Sequence, residues 1–174
     1  MAGRAGGGLG CGGGPLLGAD RADPGAQADR QAGWVNLLSA ISNAGRLRFR
    51  LFVGSVNGPV FIDFLGRLLR DGGGRKVHLI VDGHRVHHAK LVSGWGGRHA
   101  ERIELHFLPG ERPELNPVEL LNHEVKANAA GRRRPRSAGE LRNELRGCLR
   151  RRQRQPEVVV RFFEHPTTRS AAAS

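Results

Sequence analysis

Residues 77–82 read Val77-His78-Leu79-Ile80-Val81-Asp82, a short apolar run that follows Gly72-Gly73-Gly74 and ends in an acid. A run of this length, bounded by glycine, is the pattern of a strand buried on both faces of a parallel sheet, which sets Asp82 at the strand's carboxyl end. Upstream, Asn57-Gly58-Pro59 supplies an N-cap and an early-helix proline, and Phe61, Phe64, Leu65, Leu68 and Leu69 follow at helical spacing. Downstream, residues 87–98 read as a weak helix. Ala89, Val92 and Trp95 share a face there, while Gly94, Gly96 and Gly97 each cost about 1 kcal/mol relative to Ala. Ile103-Glu104-Leu105-His106-Phe107-Leu108 is the next strand, and Asn116-Pro117 opens a helix carrying Val118, Leu121 and Val125. Strand, helix, strand, helix implies right-handed parallel crossovers and an α/β fold.

Further out, residues 34–41 and Leu47-Arg48-Phe49-Arg50-Leu51-Phe52-Val53 flank the turn-like Asn43-Ala44-Gly45-Arg46. They are expected to pair as an antiparallel hairpin with one wet face. Residues 1–32 are dominated by Gly, Ala, Asp and Arg without periodicity, so this segment is expected to be disordered. Beyond Gly131, Arg132-Arg133-Arg134-Pro135-Arg136 leads into a helix over about 138–152, and residues 156–164 form a last short helix or strand. Ten Arg against Glu140 and Glu144 between Arg132 and Arg154 concentrate a net +8 in this region. Three regions result: 1–32, a globular unit over 33–130, and an Arg-rich helical tail over 131–174.

The whole 174-residue chain holds 28 Lys+Arg against 16 Asp+Glu, a formal charge of +12 that favours a polyanionic partner such as nucleic acid. The skew of 25 Arg to three Lys (Lys76, Lys90, Lys126) is also what GC-rich coding produces. Neither a run of about 18 apolar residues nor a basic segment leading into an apolar one is present, which argues against a membrane span or secretory signal and for a cytoplasmic protein. Cys11 and Cys148 form neither a disulfide framework nor a clustered metal motif.

Two acids stand where metal-assisted chemistry would want them. Carboxylates at the ends of neighbouring elements can converge on divalent cations, and Mg²⁺ takes a few such oxygens plus water and phosphate. Asp82 ends the strand, and Glu119 lies 37 positions later in the first turn of the helix opened by Pro117. Spacing alone leaves blander readings open, since an acid three residues past an N-cap favours the helix dipole and an acid closing a strand is often a loop entry.

The surrounding motifs add more. Leu79-Ile80-Val81-Asp82-Gly83-His84-Arg85-Val86-His87, and Phe107-Leu108-Pro109 followed by Pro113-Glu114-Leu115-Asn116-Pro117-Val118-Glu119, resemble the DDE endonuclease domain of mariner-like insertion-sequence transposases. The resemblance spans about Trp34 to His165. It implies an RNase H-like mixed sheet flanked by helices, a two-metal Mg²⁺ or Mn²⁺ site, and phosphodiester hydrolysis and strand transfer in DNA transposition. Asp82 and Glu119 correspond to the family's second and third catalytic, metal-holding acids. DNA is the implied partner, a homodimer is compatible, and the expected setting is cytoplasmic and nucleoid-associated.

The departures matter equally. Gly110-Glu111-Arg112 stands where the family continues with Pro-Tyr-Ser, and the chain has no Tyr. The family's first aspartate lies on the strand before the hairpin, where this chain has the segment 1–32, and Asp20, Asp23 and Asp29 lack an evident strand to sit on. A fold without its first strand, and an inactive fragment, are the expectations. Codons for residues 23–31 read in a shifted frame can spell the family's segment before the hairpin, which would make 1–32 frameshifted translation.

His84, His87 and His88 do not complete a zinc set, for lack of a Cys or clustered acid. His84 and His87 are instead expected to tie down the loop after the strand or contact phosphate. With Asn116, Lys126, Arg132, Arg133, Arg134 and Arg136 they make up the expected DNA-contacting set. The alternative is a non-catalytic basic remnant that holds DNA phosphates without cutting. A ribosomal or RNA-packaging protein would explain the charge but not the two acid-bearing blocks.

Overall fold

A computed structural model of the protein describes residues 9–17, 35–108, 116–130, 137–166 and 168. Five strands, β1 (Leu9–Leu17), β2 (Val35–Ser42), β3 (Leu47–Val53), β4 (Val77–Val81) and β5 (Ile103–Phe107), form one sheet in the order β3-β2-β1-β4-β5. β1 runs antiparallel to β2 and parallel to β4, and β4 runs parallel to β5. Five helices complete the chain: α1 (Gly58–Asp71), α2 (Lys90–Arg98), α3 (Pro117–Ala130), α4 (Ala138–Gln153) and α5 (Pro156–Glu164).

The first strand, expected to be missing, is therefore present and central. Its sequence, Leu-Gly-Cys-Gly-Gly-Gly-Pro-Leu-Leu, carries no period-2 pattern and little β-propensity. What makes it a strand is the backbone ladder offered by β2 on one side and β4 on the other, and no side-chain pattern reports that. The rest of segment 1–32, on which the expectation of disorder falls, lies outside the described residues.

The β2–β3 hairpin pairs Val35 with Val53 through Ile41 with Leu47. Gly45 in its turn has φ +77°, a left-handed conformation that favours glycine, and an added Cβ would come within 2.6 Å of Pro156. The expected wet face does not exist on β2, where every residue is buried. Val35, Leu37 and Ile41 enter one core and Leu38 and Ala40 the other, because both faces of this strand are covered.

One core joins Phe61, Phe64, Leu65, Leu68 and Leu69 of α1 and Val92 of α2 to Val77, Leu79 and Val81 of β4. The α1 boundaries follow from chemistry at its ends: Asn57 Oδ1 accepts from the Val60 amide at 3.0 Å, and Pro59 opens the first turn. The opposite core joins β2 and β3 to Val118, Leu121 and Val125 of α3, Leu141, Leu145 and Leu149 of α4, and Val159 of α5. The segment read as a separate basic tail thus packs into the domain. Its leucines recur every four residues beneath an Arg-rich exterior, and charge dominated the sequence pattern. Arg152 of α4 pairs with Glu124 of α3, and Gln153 donates to the Leu47 carbonyl of β3 at 2.9 Å.

β4 also differs from expectation. Val77, Leu79 and Val81 are buried, but His78 and Ile80 are only partly covered, so one face of β4 and of its edge neighbour β5 stays open. None of the described helices is long and apolar enough to cross a membrane.

Candidate metal-binding carboxylate site

Asp82 follows the last residue of β4, as its sequence implied. Its Oδ1 accepts from the His84 backbone amide at 3.0 Å, and His87 Nδ1 lies 3.0 Å from both this oxygen and the Asp82 carbonyl oxygen. His87 is fully buried, with its ring centroid 4.5 Å from that of Phe61. Burial pushes the Asp82 carboxyl up, but the hydrogen bonds from His87 and the His84 amide, with the charges of both imidazoles, outweigh it and hold the group below the usual range.

Glu119 occupies the first turn of α3. Asn116 sets that start, accepting at Oδ1 from the Val118 amide at 3.2 Å and at its carbonyl from the Glu119 amide at 2.9 Å. Desolvation raises the Glu119 carboxyl, a hydrogen bond from Asn122 opposes this, the charge of Asp82 raises it further, and Lys126 draws it back. The net shift is upward.

A third element reaches the same place. Ser39 of β2 donates to Asn122 Oδ1 at 3.4 Å, and Asn122 Nδ2 donates to Glu119 Oε1 at 3.4 Å. Ser39 pairs with Gly12 of β1. Cys11 of β1 pairs with Val81 of β4, so extending that register by one sets Gly12 beside Asp82. Directly paired residues face the same side of a sheet. By strand alternation position 12 belongs to the face of the sheet on which Ser39 lies, and that position is glycine. β1 contains no Asp or Glu at all.

Of the residues expected to touch DNA, His87 and Asn116 are buried and engaged in the loop and the helix cap, which takes them off any contact surface. Loop-tying, the other role open to His87, is the one its geometry fits. His84 is exposed, and Lys126 is half-buried on α3 with its charge acting on Glu119. Arg132, Arg133, Arg134 and Arg136 lie outside the described residues. Ser39 and Asn122 escaped the sequence reading because their linkage depends on strand register and on how α3 sits against β2. Also missed were His78, Glu104 and His106, the one group of three metal-capable side chains that the described residues bring together.

A family profile described as DDE superfamily endonuclease matches residues 18–142, well over half of the chain. The chain belongs to the DDE superfamily endonuclease family. Among solved structures, the DDE domain is similar to the catalytic domain of Mos1 mariner transposase, with TM-score 0.62, 14% identity, and coverage of 93% of this chain and 80% of that one. A Mos1 mariner paired-end complex with Mn gives TM-score 0.62, 16% identity and 93% coverage, and the chain spans 54% of that protein's length. The Mos1 catalytic domain with Raltegravir and Mg gives TM-score 0.61 and 14% identity, covering 93% of this chain and 82% of that one. At these identities the likeness shows the RNase H-like fold. No curated protein matches.

Proposed function

We propose that this domain is the DNA-processing domain of a mariner-like transposase, with Asp82 and Glu119 holding a divalent cation, Mg²⁺ or Mn²⁺. The observation that carries the reading is the placement of the two acids: Asp82 directly follows β4, and Glu119 stands in the first turn of α3, tied through Asn122 to Ser39 of β2. Two carboxylates that repel one another across a half-buried site are a ready cation ligand pair, and Mg²⁺ commonly uses one or two carboxylates with water and phosphate oxygens. Two carboxylates are the oxygen-donor chemistry that one such ion takes. When bound, such an ion supplies activation of a water or 3′-hydroxyl and charge relief at the leaving oxygen.

The chain's own groups prepare this site. His87 and the His84 amide keep Asp82 ionised and fixed at the end of β4, while Ser39 and Asn122 orient Glu119 on α3. Exposed Arg142, Arg150 and Arg151 of α4, with His84, Lys126, Arg132, Arg133, Arg134 and Arg136, supply positive charge for DNA phosphates. Pairing of two ions for in-line displacement needs a further carboxylate, and Gly12 offers none. The domain alone therefore binds DNA without cutting it, and either Asp20, Asp23, Asp29 or a partner copy would have to complete a competent site.

The test is incubation with DNA carrying terminal inverted repeats in Mg²⁺ or Mn²⁺, with Gly12→Asp alongside. The unaltered chain binds DNA in a salt-dependent way and leaves it intact, and Gly12→Asp gains metal-dependent nicking that Asp82→Asn abolishes. Nicking by the unaltered chain that survives both Asp82→Ala and Glu119→Ala, or no DNA binding at low salt, overturns the reading.

A further inference from the structure

The open face of β4 and β5 carries a second cluster that the carboxylate site does not use. His78 and Glu104 are directly paired across the parallel strands, and His106, two residues along β5, is paired with Ile80. Their side chains turn to the same side. His78 Nδ1 and His106 Nε2 stand 3.2 Å apart, Glu104 Oε2 is 3.7 Å from His78 Nδ1, and Glu104 Oε1 is 3.9 Å from His106 Nε2.

We propose that His78, Glu104 and His106 form a second metal site, taking a late first-row divalent cation of which Zn²⁺ is the representative. Metal–nitrogen and metal–oxygen bonds of about 2.0–2.1 Å in a tetrahedron place ligand atoms about 3.3 Å apart. The observed separations bracket that value, so rotamer adjustments within a partly exposed cluster close the site. Two imidazoles and one carboxylate select Zn²⁺, Co²⁺ or Ni²⁺ over Mg²⁺, which takes oxygen ligands. Solvent supplies the fourth position.

Two features show what now occupies the cluster's donors. The contact between the imidazole nitrogens requires one to donate a proton to the other, and a cation would replace that shared proton. Lys76 Nζ lies 2.9 Å from Glu104 Oε2 and competes for the same carboxylate. Binding is therefore opposed by Lys76. Since β5 is the sheet's edge strand, the ion would cross-link that edge to β4. At about 3.3 Å per residue, His78 lies roughly 13 Å and His106, beside Ile80, roughly 7 Å along the strands from Asp82, so the two sites share no ligand.

The experiment titrates the full chain with Zn²⁺ by calorimetry and with Co²⁺ by visible absorption, which reports coordination geometry. The expected result is a tetrahedral Co²⁺ spectrum, with one Zn²⁺ still bound when Asp82→Asn and Glu119→Gln remove the carboxylate pair. His78→Ala, His106→Ala and Glu104→Gln should each weaken Zn²⁺ binding by about tenfold or more, as expected for loss of a ligand. Lys76→Ala should tighten binding, and the pair Asp82→Asn and Glu119→Gln should leave it unchanged. Lys76 and Glu104 lie on the exposed face, so those variants stay readable if a histidine variant fails to fold. Absence of Zn²⁺ binding, an octahedral spectrum, indifference to Glu104→Gln, or loss on Asp82→Asn would overturn the proposal. Failure of the carboxylate-site reading would leave it standing.

Discussion

Replacing His87 by Ala should damage stability and the carboxylate site together. The imidazole is fully buried, bonds both the carboxylate and the carbonyl of Asp82 from Nδ1, and packs on Phe61. A hydrogen bond to a charged partner contributes about 1.5–3 kcal/mol, and loss of the ring contact adds about 1 kcal/mol. The sum is about 3 kcal/mol, which for a chain of this size corresponds to a fall of roughly 6–12 °C in melting temperature. Urea unfolding at constant slope measures the free energy, and NMR titration follows Asp82. With its carboxyl held below the usual range, Asp82 contributes stability above pH about 3.8 that is lost as pH falls through the depressed value. In His87→Ala burial is less opposed, so the carboxyl should titrate higher and acid unfolding should begin at higher pH. His87→Asn, whose amide reaches toward the Nδ1 position, should recover part of both effects. A loss below about 0.5 kcal/mol with Asp82 titrating unchanged would refute the assignment of His87 as the residue that fixes it.

Asp82→Asn should lower the Glu119 titration point toward its ordinary value, because it removes a like charge; NMR titration shifted upward or unmoved would count against a shared site. Glu119 with a raised carboxyl contributes stability below its unfolded value that is lost as pH rises through the folded one, and this dependence, seen in urea midpoints against pH, should shrink in Asp82→Asn. Leu145→Ala should cost about 2–5 kcal/mol by chemical denaturation if α4 belongs to the core, and under about 0.5 kcal/mol if it is a loose tail. Gly45→Ala should cost more than about 1–2 kcal/mol, the left-handed conformation alone accounting for that much before the overlap with Pro156.

Most elements were legible because their residues carry local signals. Asn57 and Pro59 mark the start of α1, Asn116 and Pro117 that of α3, and the Val77–Val81 run marks β4, each with the acid or cap that positions the next feature. β1 was not legible, since a glycine-rich segment has no side-chain alternation and becomes a strand only through two neighbours distant in sequence. The coverage of β2 on both faces, and the exposure of His78 and Ile80 on β4, likewise depend on where α3, α4 and α5 lie. The helix over about 138–152 was legible, but its clustered arginines drew the reading toward phosphate contact, and the Leu141, Leu145 and Leu149 stripe that packs it into the core went unread. Asp82 and Glu119 stood out through their motifs; the Ser39–Asn122 support and the His78–Glu104–His106 cluster required the register.

The most direct measurement is substoichiometric Mn²⁺ added to the isotopically labelled chain, with paramagnetic broadening read residue by residue. If Asp82 and Glu119 jointly hold a divalent ion, broadening centres on residues 82–84 and 118–122, reaches Ser39 next, and is lost from these positions in both Asp82→Asn and Glu119→Gln. Broadening that spares residues 82–84 and 118–122, or that persists there in both variants, would contradict a shared carboxylate site.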